Sequence, residues 1–147
     1  MAAVPHTTDM LVLDTNIALD LFVFQDAATE ALRTAVERAD GAWIATAAMR
    51  EELVRVLDYP QIARRLKAKT RPMQDVLDAF DRCTRLVAEA PKAVYTCKDP
   101  DDQKFIDLAA AHRATLVSKD DAVLCMAKRL ARVGVHVCRQ WSPSHVD

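Results

Sequence analysis

The chain has 147 residues, with 20 Lys or Arg against 21 Asp or Glu, a net charge of −1, 51% hydrophobic and 28% charged residues. That is one domain's length with enough chain to bury a sizeable core, a folded composition, and a charge balance that does not by itself announce a nucleic-acid surface. Only two glycines, Gly41 and Gly134, are present, which excludes the glycine-rich phosphate loops of dinucleotide-binding and P-loop enzymes.

The elements follow from hydrophobic periodicity. Residues 10–14 read as a short buried strand that stops abruptly at Asp14-Thr15-Asn16. Residues 16–24 carry helical spacing through Ile17, Leu21 and Phe24, with a break over Gln25 to Ala28. Thr29 to Ala39 returns to a helical period, and Asp40-Gly41 is a helix stop. Ala42 to Ala45 forms a second strand, and Thr46 can cap a helix carrying Leu53, Val56 and Leu57. Pro60 sits at a tolerated first-turn position of a helix through Lys69. Pro72 opens a long amphipathic helix through Glu89, whose face serves a core or a partner. Lys92 to Pro100 is loop, and Asp101 or Asp102 begins a helix through Ala111. Ala114 to Ser118 is a third strand, Lys119 to Leu130 a helix broken by Gly134, and Val135 to Cys138 a fourth strand. The tail after Gln140 is mainly polar. Short apolar strands alternating with helices imply a parallel sheet covered on both faces, with an all-helical excursion at about 46–89.

Cys83, Cys97, Cys125 and Cys138 form no C-x-x-C and have no His at zinc-finger spacing, so free thiols in a reducing compartment are expected. No apolar run approaches the roughly 20 residues of a membrane span, and Met1 to Asp9 lack signal-peptide character. A cytoplasmic protein with no membrane partner is expected.

The chemistry lies in the acids. Asp14 ends the first strand, Glu51 and Glu52 lie in the helix after the second, Asp99, Asp101 and Asp102 precede or open a helix, and Asp120 and Asp121 follow the third strand. Strand carboxyl ends and helix amino ends share one edge of a parallel α/β sheet, so acids distant in sequence can meet there. Each also has a purely structural reading as a helix cap, turn residue or surface charge. Glu52, Asp102 and Asp120 are the better placed of their neighbours. Gathered carboxylates repel and raise one another's pKa unless a cation joins them. Oxygen-only ligands select a hard ion, Mg²⁺ or Mn²⁺, which suits phosphodiester hydrolysis.

Together, Leu-Val-Leu-Asp14-Thr15-Asn16, Glu51-Glu52-Leu53, Asp99-Pro100-Asp101-Asp102-Gln103-Lys104-Phe105 and Ala114-Thr115-Leu116-Val117-Ser118-Lys119-Asp120 resemble the PIN-domain nucleases over residues 10–138. The nearest likeness is to the bacterial subgroup of toxin components of toxin–antitoxin systems. The resemblance implies a PIN-like three-layer α/β sandwich, a central parallel sheet of about four or five strands between helices, in a single domain spanning residues 1–147. It implies a Mg²⁺- or Mn²⁺-dependent endoribonuclease with Asp14, Glu52, Asp102 and Asp120 as catalytic and metal-holding acids. Thr15, Asn16 and Ser118 would line or orient that site.

None of His6, His112, His136 or His145 sits in a motif position. Substrate contact needs cations. Arg64, Arg65, Lys67, Lys69 and Arg71 form the densest basic stretch, while Arg50 and Lys104 lie nearest the acids in sequence. The basic stretch reads either as a phosphate contact or as a solvated helix face. RNA is the expected substrate, an antitoxin and a homodimer are possible partners, and a non-catalytic metal- or RNA-binding module is the alternative.

Overall fold

In the computed structural model, residues 10–38 and 42–143 are described. The Asp40-Gly41 stop, His6, His145, and the Met1 to Asp9 segment lie outside them.

Five strands form one all-parallel sheet. They are β1 (Leu11–Leu13), β2 (Trp43–Ala45), β3 (Thr84–Leu86), β4 (Thr115–Val117) and β5 (His136–Cys138), in the order β3-β2-β1-β4-β5. Helices α1 (Thr15–Phe22) and α2 (Glu30–Glu37) connect β1 to β2. The excursion holds α3 (Ala47–Leu57), α4 (Pro60–Ala68) and α5 (Met73–Cys83). Helix α6 (Gln103–His112) leads back across to β4, and α7 (Asp121–Leu124) and α8 (Ala127–Ala131) lead to β5. Right-handed crossovers place α1–α5 on one face and α6–α8 on the other. The expected parallel α/β sandwich is therefore present, and the central strands are buried on both faces, as their unbroken apolar runs require.

Trp43 anchors the first face. It is fully buried, stacks on Phe22 of α1 at 5.9 Å and meets Phe80 of α5 edge-on at 5.3 Å. On the other face Phe105, Ile106 and Leu108 of α6 are buried against β1 and β4. Helix α3 is held at its start by Thr46, whose hydroxyl accepts the Met49 N–H at 3.4 Å. Glu89 accepts the Ala48 N–H at 3.0 Å. These two caps orient the helix that carries Glu52.

The long helix expected over 72–89 is a correction. It ends at Cys83, and Thr84–Leu86 is the edge strand β3, paired with β2 as Trp43↔Thr84, Ile44↔Arg85 and Ala45↔Leu86. Leu86 and Val87 extend the helical pattern, but the open edge of β2 offers backbone partners that the local period cannot register. Thr84 turns the chain while its hydroxyl donates to the Phe80 carbonyl at 2.7 Å. The apolar face of α5 thus serves the core. The helix expected over Lys119 to Leu130 is also divided. Met126 N–H bonds to Val123 O at 2.9 Å, a tighter i→i+3 turn, before α8 resumes. Buried residues spaced three apart fit either turn, so spacing alone did not reveal the break. Gly134 ends this stretch as expected, at φ +87°, where a side chain is strained.

Because Trp43 joins the sheet to two helices, Trp43→Ala should cost about 3–5 kcal/mol. Urea unfolding should show a lower midpoint with little change in slope; a midpoint near that of the native chain would contradict the packing described.

A candidate metal centre at the sheet edge

Strands β1 and β4 are neighbours in register Leu13↔Val117, so Asp14 and Ser118 emerge side by side. From there the chain leaves β1 toward β2 and β4 toward β5, in opposite directions across the sheet. Such a reversal opens a crevice at the strands' carboxyl ends. Asp14 is buried in it. Its Oδ1 accepts the Ile17 N–H at 3.0 Å and caps α1, and its Oδ2 accepts the Ser118 hydroxyl. The fully buried Ser118 oxygen in turn accepts the Asp120 N–H at 3.0 Å. Burial drives the Asp14 carboxyl up to about 6, against the lowering pull of the Ser118 and Ile17 donors.

A second group of acids arrives from the loop before α6. Asp99 caps a 3-10 turn over Pro100–Asp102 by accepting the Asp101 N–H at 3.0 Å. Asp102, only 9% exposed, closes that turn. Burial, then contact with the Asp120 carboxylate, push the Asp102 carboxyl up to about 8, and Asp99 and Asp14 add to the effect. Asp120 is held below the usual carboxylate range by that same contact and by the Ala122 N–H at 2.9 Å.

Carboxylate oxygens of Asp99, Asp102 and Asp120 lie within 4.8 Å of one another. A cleft of about 230 Å³ opens beside them, lined by Asp14, Thr15, Asn16, Glu52, Asp102, Tyr59 and Gln61 among others. Asp14, Glu52 and Asp102 thus face one space, Asp120 joins through Asp102, and Ser118 lies beneath Asp14. Of the paired acids, Glu51 is exposed and lies with Arg50 and Leu86 at a different surface. Asp121 is exposed and 3.9 Å from Arg139.

The residues fit a hard divalent cation. The buried Oδ2 of Asp102 finds no hydrogen-bond partner among the described residues, an expensive state for a carboxylate oxygen unless something else meets it. The nearby donors are all oxygen, which favours magnesium or manganese over zinc. Lys104 Nζ forms an ion pair with Glu52 Oε1 and donates to the Asp101 carbonyl at 2.8 Å. Its ammonium offsets part of the negative charge there.

The expected cationic contacts divide. Lys104 is at the cleft. Arg50 is turned away, bound bidentately by Asp81 of α5 at 2.8 and 2.9 Å; sequence proximity to Glu52 misplaced it because the two residues leave α3 on different faces. Much of the basic stretch serves the carboxyl end of α1. Lys69 donates to Val23 O at 3.2 Å, Arg71 to Phe22 O, and Arg65 lies 5.1 Å over the Phe24 ring. Arg33 adds a bond to Leu21 O at 2.7 Å. Cations there satisfy open carbonyls and oppose the helix dipole. Arg64 and Lys67 remain exposed. Arg64 follows Gln61, a cleft residue, by one helical turn.

Three residues joined the site without having been singled out for it. Asp99 lay in a run offering three acids for one place, and only the fold of the turn separates them. Tyr59 and Gln61 flank Pro60 at the start of α4, and nothing in their local pattern marks them.

A parallel α/β sheet with a cation-ready acid cluster at its switch point defines a class of metal-dependent hydrolytic domains. The PIN domain family model matches residues 10–122, from β1 through the start of α7, and the chain belongs to that family. PIN domains are generally metal-dependent nucleases, so the chain carries a nuclease fold and an acid cluster able to hold a metal. No curated protein matches it as a relative. Among the described residues no helix is long and apolar enough to cross a membrane.

Metal-free protein should lose stability as pH rises. Folded Asp102 keeps its proton up to about 8 and Asp14 up to about 6, whereas an unfolded Asp releases it near 3.8. Between about pH 4 and pH 8 the unfolded state therefore binds fewer protons, and stability falls through that window. Thermal melts in EDTA should show the decline, and Asp102→Asn should flatten much of it. A decline of the same steepness in Asp102→Asn would refute the assignment.

Proposed function

We propose that the protein is a Mg²⁺- or Mn²⁺-dependent endoribonuclease that hydrolyses RNA phosphodiesters. The observation that carries this reading is the buried, unpartnered Asp102 Oδ2 among Asp14, Asp99, Asp120 and the Glu52 cleft. Asp99, Asp102 and Asp120 would hold the ion, with Asp14 and Glu52 facing it directly or through water. A divalent ion there supplies charge for the phosphate and lowers the pKa of an attacking water.

The chain's own residues prepare the site. Ser118 and the Ile17 N–H fix both oxygens of Asp14, so its carboxylate holds one orientation. Thr15 and Asn16 present a hydroxyl and an amide to the same cleft. Lys104, paired with Glu52, is placed to meet a phosphate entering beside the acids. Tyr59, half exposed at the cleft, offers a face on which one base can stack. Arg64 and Lys67, exposed on α4, extend a path for the phosphate backbone without reading sequence.

Purified protein should cleave mixed RNA with Mn²⁺ and not with EDTA. Asp14→Asn and Asp102→Asn should each lower the rate by at least about 100-fold while remaining folded. A folded Asp102→Asn protein as active as the native chain would refute the reading. Metal or RNA binding without cleavage would favour a non-catalytic binding module.

The toxin role is part of the same proposal, with a protein antitoxin as partner and self-association as a homodimer. Its support is the Asp-Pro-Asp-Asp-x-Lys-Phe run and the helices that follow Glu52. Induced expression in a bacterial host should arrest growth, and Asp102→Asn should not. Unimpaired growth with a chain that cleaves RNA in the test tube would remove the toxin role and leave the nuclease.

A further inference from the structure

Cys97 and Cys125 are far apart in sequence and share one acceptor. Each thiol donates to the Ala122 carbonyl oxygen, and each Sγ lies 3.4 Å from it. The sulfurs are therefore separated by no more than twice that distance. Cys97 is buried in the loop before α6, and Cys125 is exposed immediately after α7. Helix α7 has only four residues and the turn after it is tight, so little regular structure opposes movement of Cys125.

Ala122 is also a support of the acid cluster. Its N–H holds Asp120 Oδ1 at 2.9 Å while its carbonyl takes the two thiols. Cys97 lies two residues before Asp99, and its own N–H is fixed to Gln103 of α6 at 2.6 Å. The two cysteines thus sit on the two segments that bring Asp99 and Asp120 together. The remaining thiols are placed differently, Cys83 buried at the end of α5 and Cys138 half-buried at the end of β5.

We propose that Cys97 and Cys125 are an oxidation site, a thiol pair that a peroxide converts to a disulfide, displacing Asp120 from Asp99 and Asp102. The exposed Cys125 sulfur attacks one peroxide oxygen, the O–O bond breaks, and water leaves a sulfenic acid. The Cys97 sulfur then attacks Cys125. The S–OH bond breaks, and hydroxide leaves as water with the Cys97 proton. Two thiols lose two electrons in total, and one peroxide becomes two waters. A disulfide joins the sulfurs at about 2.05 Å and leaves neither with a proton, so both hydrogen bonds to the Ala122 carbonyl are lost. Closing the gap between the sulfurs shifts the Ala122 segment, whose N–H seats Asp120 Oδ1, and so takes Asp120 out of its present place beside Asp99 and Asp102. The effect on metal rests on the reading of the acid cluster given above; the pairing itself does not.

The test treats reduced full-length protein with hydrogen peroxide, digests it without reductant and maps the peptides by mass. A Cys97–Cys125 linked peptide, with two thiols lost, is expected, and Cys125→Ser should leave no link to Cys97. Recovery of both as thiols, over-oxidation of Cys125 without a link, or a link to Cys83 or Cys138 overturns the pairing. Calorimetric titration with Mn²⁺ then compares the two redox forms. The oxidised protein should bind about ten-fold more weakly, dithiothreitol should restore binding, and Cys125→Ser should not respond to peroxide. Equal affinity in the two forms overturns the coupling. Failure of the reduced protein to bind Mn²⁺ overturns the coupling together with the metal reading, and the mass map still decides the pairing.

Discussion

Like-charged carboxylates crowd a partly dry corner of this molecule, and the surrounding structure is arranged around that electrostatic burden. Asp102 meets it by keeping a proton near neutral pH. Asp14 meets it with two hydrogen bonds, from Ser118 and from the first turn of α1. Asp120 draws on the start of α7, and Glu52 on the Lys104 ammonium. Each solution is local and each is incomplete, since Asp102 still has an oxygen without a donor. A divalent cation held there would complete them together, because one doubly charged centre offsets several carboxylates at the same place.

Capping and site-building are performed here by the same groups. Asp14, Asp99 and Asp120 each accept a backbone N–H at the start of a helical turn. One carboxylate oxygen is sufficient for a cap, which leaves the other oxygen of Asp99 and of Asp120 to face its neighbours and that of Asp14 to accept the Ser118 hydroxyl. The purely structural reading of these acids and the functional one are therefore compatible. The basic residues divide in a similar way. Lys69, Arg71 and Arg33 neutralise the carboxyl end of α1, opposite in dipole to the end that Asp14 caps. Helix α1 thus carries an acid at its amino end and cations at its carboxyl end, and it is fixed at the site by both.

How much was legible in the residues depends on the range of the interaction that decides each feature. β1 and β2 were visible because a doubly covered parallel strand is apolar throughout, and β4 and β5 because short apolar runs stop at Ser118 and start after Gly134. Helix α4 was visible because Pro60 suits a first turn, and α3 because Thr46 caps it. β3 was hidden because its pairing with β2 spans some forty residues of chain, while its local pattern continues that of α5. The acids were recognisable as a set because few other arrangements explain polar stops after buried strands. Asp99 could not be ranked against Asp101 and Asp102 by spacing, since three residues in one turn point in three directions. Arg50 shows the converse error: adjacency in sequence to Glu52 placed it at the cleft, and a bidentate salt link to Asp81 takes it to another face.

The amino-acid order by itself determined a parallel α/β architecture, the absence of a glycine phosphate loop, and an acidic edge suited to a hard cation. These follow from periodicity and residue chemistry, which are local properties of the chain. Tertiary structure alone decided that β4 lies against β1 in the register that joins Ser118 to Asp14, that Asp99 gathers with Asp102 and Asp120, and that Cys97 and Cys125 converge on one carbonyl. Contacts of that kind depend on strand order and helix rotation, which are set by packing the whole core at once and leave no trace in any short stretch of residues.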